Sequence, residues 1–265
     1  MNHFLDLYKY LVTAIGIFSM CTIFSAESKQ CSICLQSLAL EYSLDAWGNA
    51  FHSTHEKEGL FCHSCSRIIS QSVTQGGYVY SDGRHICSLC HITAINNDTL
   101  IYIAYQSVMA QLKAVGIINI PQNIPITLVD LHILNEKAGH LSHAKLKGFT
   151  HFPGKSYSKL QIDNPYHIYI LSGLPQLEFE AVLAHEFLHI WLEINSLDLD
   201  IITAEGFCNL GSSLIYENDG TQFSQIHLRA MENNVDKAYG KSFIIFQKEM
   251  DENGWEALIQ KIQSL

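Results

Sequence analysis

Ala184-His185-Glu186-Phe187-Leu188-His189-Ile190-Trp191 sets two imidazoles four residues apart, with a carboxylate beside the first, inside an apolar run. On a helix, positions four apart share a face, so His185 and His189 can offer nitrogens to one zinc ion while Glu186 points into the same cleft as a general base. At about 100° per residue, Leu183, Phe187, Ile190 and Ile194 form a stripe more than roughly 90° from the two His. One side of such a helix packs on a core and the other faces a cleft. The competing reading is a buried helix whose two imidazoles are satisfied by ordinary hydrogen bonds.

A zinc site that activates water needs a third protein ligand and an open fourth position. One large peptidase group places Gly three residues after the second His and another His six after it; here those positions hold Leu192 and Asn195, which excludes that pattern. Glu193 lies about 12 Å along the helix from His185 and cannot converge on the same ion. Thr203-Ala204-Glu205-Gly206-Phe207-Cys208-Asn209-Leu210 opens a second helical pattern and makes Glu205 the expected third ligand, with Asp198, Asp200 and His227 next in line. The competing reading of Glu205 is a first-turn carboxylate favoured by the helix dipole. Tyr239 and His227 follow the site and carry the chemistry to stabilise an oxyanion, against a plainer role in packing or on the surface.

A second set of ligand types lies upstream. Cys31-x-x-Cys34, His52-x-x-His55, Cys62-x-x-Cys65 and Cys87-x-x-Cys90 are four pairs, each able to supply two donors from one tight knuckle. Four pairs make two tetrahedral structural zinc sites: Cys31, Cys34, His52 and His55 for the first, Cys62, Cys65, Cys87 and Cys90 for the second. Disulfides are the alternative in an exported chain, but the matching His pair favours metal. Gly76 to Arg84 reads as a short hairpin with an Asp-Gly turn between the knuckles.

Positioning these groups calls for two parts, residues 27–95 for the double zinc module and 96–265 for the part with His185. In the latter, 99–115 has helical periodicity, 126–131, 147–152 and 167–171 read as strands, and Pro175 leads into the long helix. Segments 242–249 and 255–262 read as late helices. This is an α+β arrangement, in which 147–152 is the strand edge expected to hold an extended peptide. Residues 1–26 read as a signal peptide or retained N-terminal anchor: Lys9 precedes the apolar run Tyr10 to Phe24, which ends at Ser25-Ala26-Glu27. The run is short for a membrane span. The expected location is extracytoplasmic, periplasmic or secreted, with membrane attachment only if that segment is retained. A net charge of -10, with 16 Lys+Arg against 26 Asp+Glu and no basic cluster, argues against a nucleic-acid partner.

The combination of motifs resembles the DA-one family of LIM-domain peptidases, known from plant organ-size control and with shorter bacterial relatives. The likeness is carried by Ala46-Trp47-Gly48-Asn49, Asp82-Gly83-Arg84, the His-Glu-x-x-His-x-Trp of residues 185–191, Glu205-Gly206-x-Cys208 and Tyr239-Gly240-x-x-Phe243. It implies a small LIM-like zinc-knuckle module followed by a zincin-like, gluzincin-type metallopeptidase domain. By that likeness His185, His189 and Glu205 hold the catalytic zinc and Glu186 is the base. Two departures stand out. Residues 1–30 leave no place for the plant proteins' ubiquitin-interacting helices, and six residues separate His55 from Cys62 where a LIM domain has two, so rigid side-by-side docking of its two sites is not carried over. The function expected is peptide-bond hydrolysis on a peptide or protein substrate, with a possible protein partner at the LIM-like module. The alternatives are a LIM-type interaction adaptor with an inactive or partner-gated peptidase part, and a zinc hydrolase of a non-peptide amide.

Overall fold

The computed structural model describes residues 29–57, 59–141, 146–152 and 165–264. The expectation of a signal peptide or anchor over 1–26 lies outside them. Two small antiparallel ribbons carry the Cys/His region: β1 (Ser43–Leu44) with β2 (Ala50–Phe51), and β3 (Gly77–Val79) with β4 (His85–Cys87). Short helices α1 (Gln71–Thr74) and α2 (Ser88–Ile92) accompany the second ribbon. The turn between β3 and β4 is closed by Gly83 N–H donating to the Tyr80 carbonyl and Tyr80 N–H donating to Arg84. With so little regular structure, the ribbons depend on side chains to hold them. The Asp45 carboxylate accepts from the backbone N–H groups of Trp47, Asn49 and Ile68, each at 2.9 Å, and Trp47 Nε1 donates to the Cys65 carbonyl at 2.7 Å. Phe61 and Ile68 from the second half pack with Phe51 and Cys31 of the first. The two halves are therefore docked despite the long spacer between His55 and Cys62.

Helix α3 (Asp98–Ala114) begins at Asn97, whose side chain accepts from Leu100 N–H. A three-stranded mixed sheet follows, made of β5 (Ile126–Val129), β6 (Gly148–His151) and β7 (His167–Leu171) in the order β5-β7-β6. Strand β7 is central, parallel to β5 and antiparallel to β6, and its Ile168 and Ile170 are fully buried at the strand period of two. The strand expected over 126–131 stops at Val129 because Asp130 turns into a cap, accepting from Ile133 N–H to start α4 (Leu131–Ala138). Among the described residues, strand β6 lies at a sheet edge, as expected for 147–152.

From β7 the chain runs through Ser172 to Pro175 into α5 (Gln176–Ile194), then α6 (Ile201–Asp219) and α7 (Gln222–Glu232). A π-helical turn, Lys237–Lys241, precedes α8 (Ser242–Gln263), which changes direction at Gly254, the boundary expected between its two segments. Helix α5 is more enclosed than a single apolar stripe requires. Leu183, Phe187 and Ile190 are fully buried, but so are Phe179, Ala184 and Leu188, because α3 and the sheet cover one side and α6 the other. The close approach of α6 needs Gly211, where a Cβ would stand 2.8 Å from the Ala184 carbonyl oxygen. Phe187 meets Tyr105 edge to face with centroids 5.0 Å apart. Among the described residues, no helix is long and apolar enough to cross a membrane.

The Cys/His region is fastened to the beginning of α5. Ile95 N–H donates to the Leu174 carbonyl and Gln176 N–H to the Thr93 carbonyl, flanking an Ala94–Pro175 bridge. Arg84, 4% exposed, pairs with Asp82 and donates to the Ser172 carbonyl at 2.8 Å, while Asp82 accepts from Leu131 N–H. Ser64 donates to the Glu178 carboxylate, which also pairs with Lys147.

Candidate metal centres

Three groups of side chains converge among the described residues: Cys31, Cys34, His52 and His55; Cys62, Cys65, Cys87 and Cys90; and His185, His189 and Glu205. Within each group the donor atoms lie within 4.8 Å of one another. Local structure makes each meeting. Cys-x-x-Cys knuckles fold back tightly, with Leu35 N–H donating to the Cys31 carbonyl and Ser66 N–H to the Cys62 carbonyl. His185 and His189 lie one turn apart on α5 with their rings edge to face, and α6, capped at Asp200, lays Glu205 across them.

Spacing and protonation suit zinc. Tetrahedral zinc separates two imidazole nitrogens by about 3.3 Å and two sulfurs by about 3.8 Å. His185 Nε2 and His189 Nε2 are 3.0 Å apart, and Cys65 Sγ and Cys87 Sγ are 3.8 Å apart. All seven described cysteines are free thiols, so no disulfide competes for them. In the four-Cys group, mutual hydrogen bonds drive the Cys62 thiol well below its ordinary range and push Cys65 and Cys90 above theirs, so the four share thiolate character unevenly until a cation draws on all of them. Burial opposes ionisation of Cys31, but backbone hydrogen bonds at Cys34, His52 and Ile33 bring it down to about 6. Thiolates are the form a metal takes.

In the third group, Glu205 Oε2 is buried with no hydrogen-bond partner, 3.2 Å from His185 Nε2. Burial penalises the Glu205 charge, yet the His185 and His189 rings that face it hold the carboxyl well below the usual carboxylate range. Burial also disfavours the His185 imidazolium, but Glu205, Glu186 and a hydrogen bond to Asn209 outweigh this and raise its pKa. Two ring nitrogens and a carboxylate oxygen facing one another form a pocket for positive charge. Asp200 is occupied as the α6 cap and Asp198 and Glu193 are exposed, so Glu205 is the carboxylate brought to the His pair.

Glu186 lies on the same helix, 4% exposed. Its Oε2 accepts from the Thr150 hydroxyl at 2.7 Å, and its Oε1 rests against Gly148 of β6. Sequence reasoning missed Thr150, Gly148 and Asn209, because each acts through an element brought up by tertiary packing. His227 lies elsewhere: its ring stacks on Tyr216 at 5.0 Å and tilts against Phe223 at 4.4 Å, its Nε2 is buried without a partner, and after burial itself the charges acting on it are Glu178, Lys147 and Cys62. That is the junction with the four-Cys group. Tyr239 belongs to the turn Lys237–Lys241, and its side chain lies outside what is described.

Residues 148–262 match the DA1-like family, described as Protein DA1. Protein DA1-related 2 of Arabidopsis thaliana is 27% identical, over 65% of this chain and 38% of its own length. Protein DA1 of the same plant is 26% identical, over 62% of this chain and 36% of its own. The LIM domain-containing protein HDR3 of Oryza sativa subsp. japonica is 25% identical, over 72% and 44% respectively. The chain thus spans less than half the length of these curated relatives, and no solved structure matches it. Residues 148–262, which carry both helices of the His185 group, are thus the part of the chain that is similar to the DA1-like family.

Proposed function

We propose that the chain is a zinc-dependent peptidase built as a LIM-like module, residues 27–95, and a zincin-like domain of the gluzincin type, residues 96–265. The observation that carries this reading is the buried, unpartnered Glu205 Oε2 beside two imidazole nitrogens, with the Glu186 carboxylate on the next residue of the same helix. His185, His189 and Glu205 would hold the catalytic zinc; the two Cys/His groups would each hold a structural one. Zinc in such a site supplies Lewis acidity, lowering the pKa of a water and polarising a carbonyl oxygen. The chain's own part is to hold and move the proton. The Glu186 carboxylate takes it from the attacking water and delivers it to the nitrogen of the leaving amine. Strand β6, at the edge of the described sheet and bonded to Glu186 through Thr150, would pair with the main chain of an extended substrate.

Peptide-library cleavage together with a zinc count tests the reading. Glu186→Gln keeps size and polarity but removes the base, so cleavage should fall by roughly 10²–10⁴-fold with zinc still bound. A fully zinc-loaded wild type no more active than Glu186→Gln would favour the adaptor reading, in which the LIM-like module binds a protein partner. The likeness to a LIM domain-containing relative supports that module's part in protein contacts. We also propose an extracytoplasmic location, on the apolar run before Glu27. Mass spectrometry of the native protein should find an N-terminus near Glu27 outside the cytoplasm, and an intact start inside it would refute this.

A further inference from the structure

Strand β6 meets Glu186 at two positions of one face. Thr150 is 3% exposed, and its hydroxyl donates to Glu186 Oε2 at 2.7 Å, with the Glu186 main-chain oxygen farther off at 3.5 Å. The short bond goes to the charged acceptor, as hydrogen-bond strength dictates. Two residues earlier, Gly148 leaves the space that the carboxylate fills. A Cβ there would stand 2.5 Å from Glu186 Oε1, 3.0 Å from its Cδ and 2.6 Å from Val182 Cγ1. A long side chain on a helix has several rotatable bonds, so the backbone of α5 alone does not fix where the Glu186 carboxylate points.

We propose that Thr150 is a positioning residue for Glu186: strand β6, through the Thr150 hydroxyl on Oε2 and the opening at Gly148, sets the direction of the carboxylate and leaves Oε1 to accept the proton. This rests on the peptidase reading and adds a demand of its own. The element that pairs with substrate also aims the base, so the scissile bond and the proton acceptor share one frame of reference, which is the condition for efficient proton transfer.

The test compares Thr150→Val, which keeps the shape and removes the donor, with Thr150→Ser, which keeps the donor. For each, kcat, KM, bound zinc and thermal unfolding are measured, and the position of Glu186 is read from crystals. Thr150→Val should keep its zinc and hold KM within about twofold while kcat falls roughly 10–100-fold, the usual cost of losing such a supporting contact. Thr150→Ser should restore most of kcat. In crystals of Thr150→Val the Glu186 carboxylate should leave its place against β6, a readout independent of activity. If Thr150→Val does not fold, Thr150→Cys, a weaker donor of similar size, takes its place against Ser. Wild-type kcat in the Val variant, an unmoved Glu186, or a Ser variant no better than Val would overturn the inference while leaving the peptidase reading intact. A wild type as inert as Glu186→Gln would overturn both.

Discussion

Glu205 is the residue on which the third metal group turns. A buried carboxylate oxygen without a donor is costly unless a cation meets it, and His185 and His189 face it with nitrogens that neutral imidazoles can lend to a metal. Glu205→Gln keeps the shape but removes the charge. Zinc affinity at this site should drop by more than the roughly 10–100-fold that loss of an outer supporting contact costs, with activity falling in step. Added zinc should partly restore both, as metal titration followed by cleavage assays will reveal. Glu186→Gln should behave in the opposite way, losing rate and keeping metal. The His pair and its base are legible in the sequence because helical spacing is local: four residues apart is one face, whatever surrounds it. Thr150 and Asn209 leave no such trace. Their partners lie on other elements, and nothing in the spacing of Gly148 and Thr150 names the helix they touch.

At the scale of elements, α5 is held at its first turns by a buried ion pair. Glu178, 1% exposed, binds Lys147 just ahead of β6 and Ser64 of the Cys62 knuckle. Burial alone would raise the Glu178 carboxyl, but Lys147, with smaller help from His227 and Ser64, holds it below its ordinary value. Lys147→Met should cost about 3–5 kcal/mol, because it strands a buried charge, and Lys147→Met with Glu178→Gln should cost less than the sum of the two. The pH dependence has a definite sign. A carboxyl whose folded pKa is depressed stabilises the fold fully above its unfolded value of about 4.3 and loses that contribution as pH falls through the folded one. The gap in urea stability between wild type and Glu178→Gln should therefore be widest near neutral pH and shrink on acidification. The sequence marked α5 by its apolar stripe, yet Leu188 and Ala184 are as buried as Leu183, since only the assembled fold reveals that α6 covers the second side. The strand at 126–129 is shorter than the 126–131 its residues suggest for a similar reason: Asp130 gives the chain a helix start that outweighs the β-tendency of its neighbours.

For the molecule as a whole, three converging donor groups lead us to expect three zinc ions, two held tightly in the Cys/His region and one removed more readily from the open site. Native mass spectrometry during stepwise chelation should give that order. Because Arg84, Ser64 and the Thr93–Ile95 segment all grip the approach to α5, calorimetry should find one unfolding transition, and stripping the Cys/His metals should lower its midpoint. The Ala94–Pro175 pairing carries a further consequence, for the order of assembly. Its two sides are far apart in sequence, so closing that loop is slow, and the upstream side leaves the ribosome first. A metal-loaded Cys/His region can then act as a template that waits for Pro175 and orients the helix as it arrives. Refolding with zinc withheld should stall before the His185 site forms, and zinc supplied late should release a slow phase.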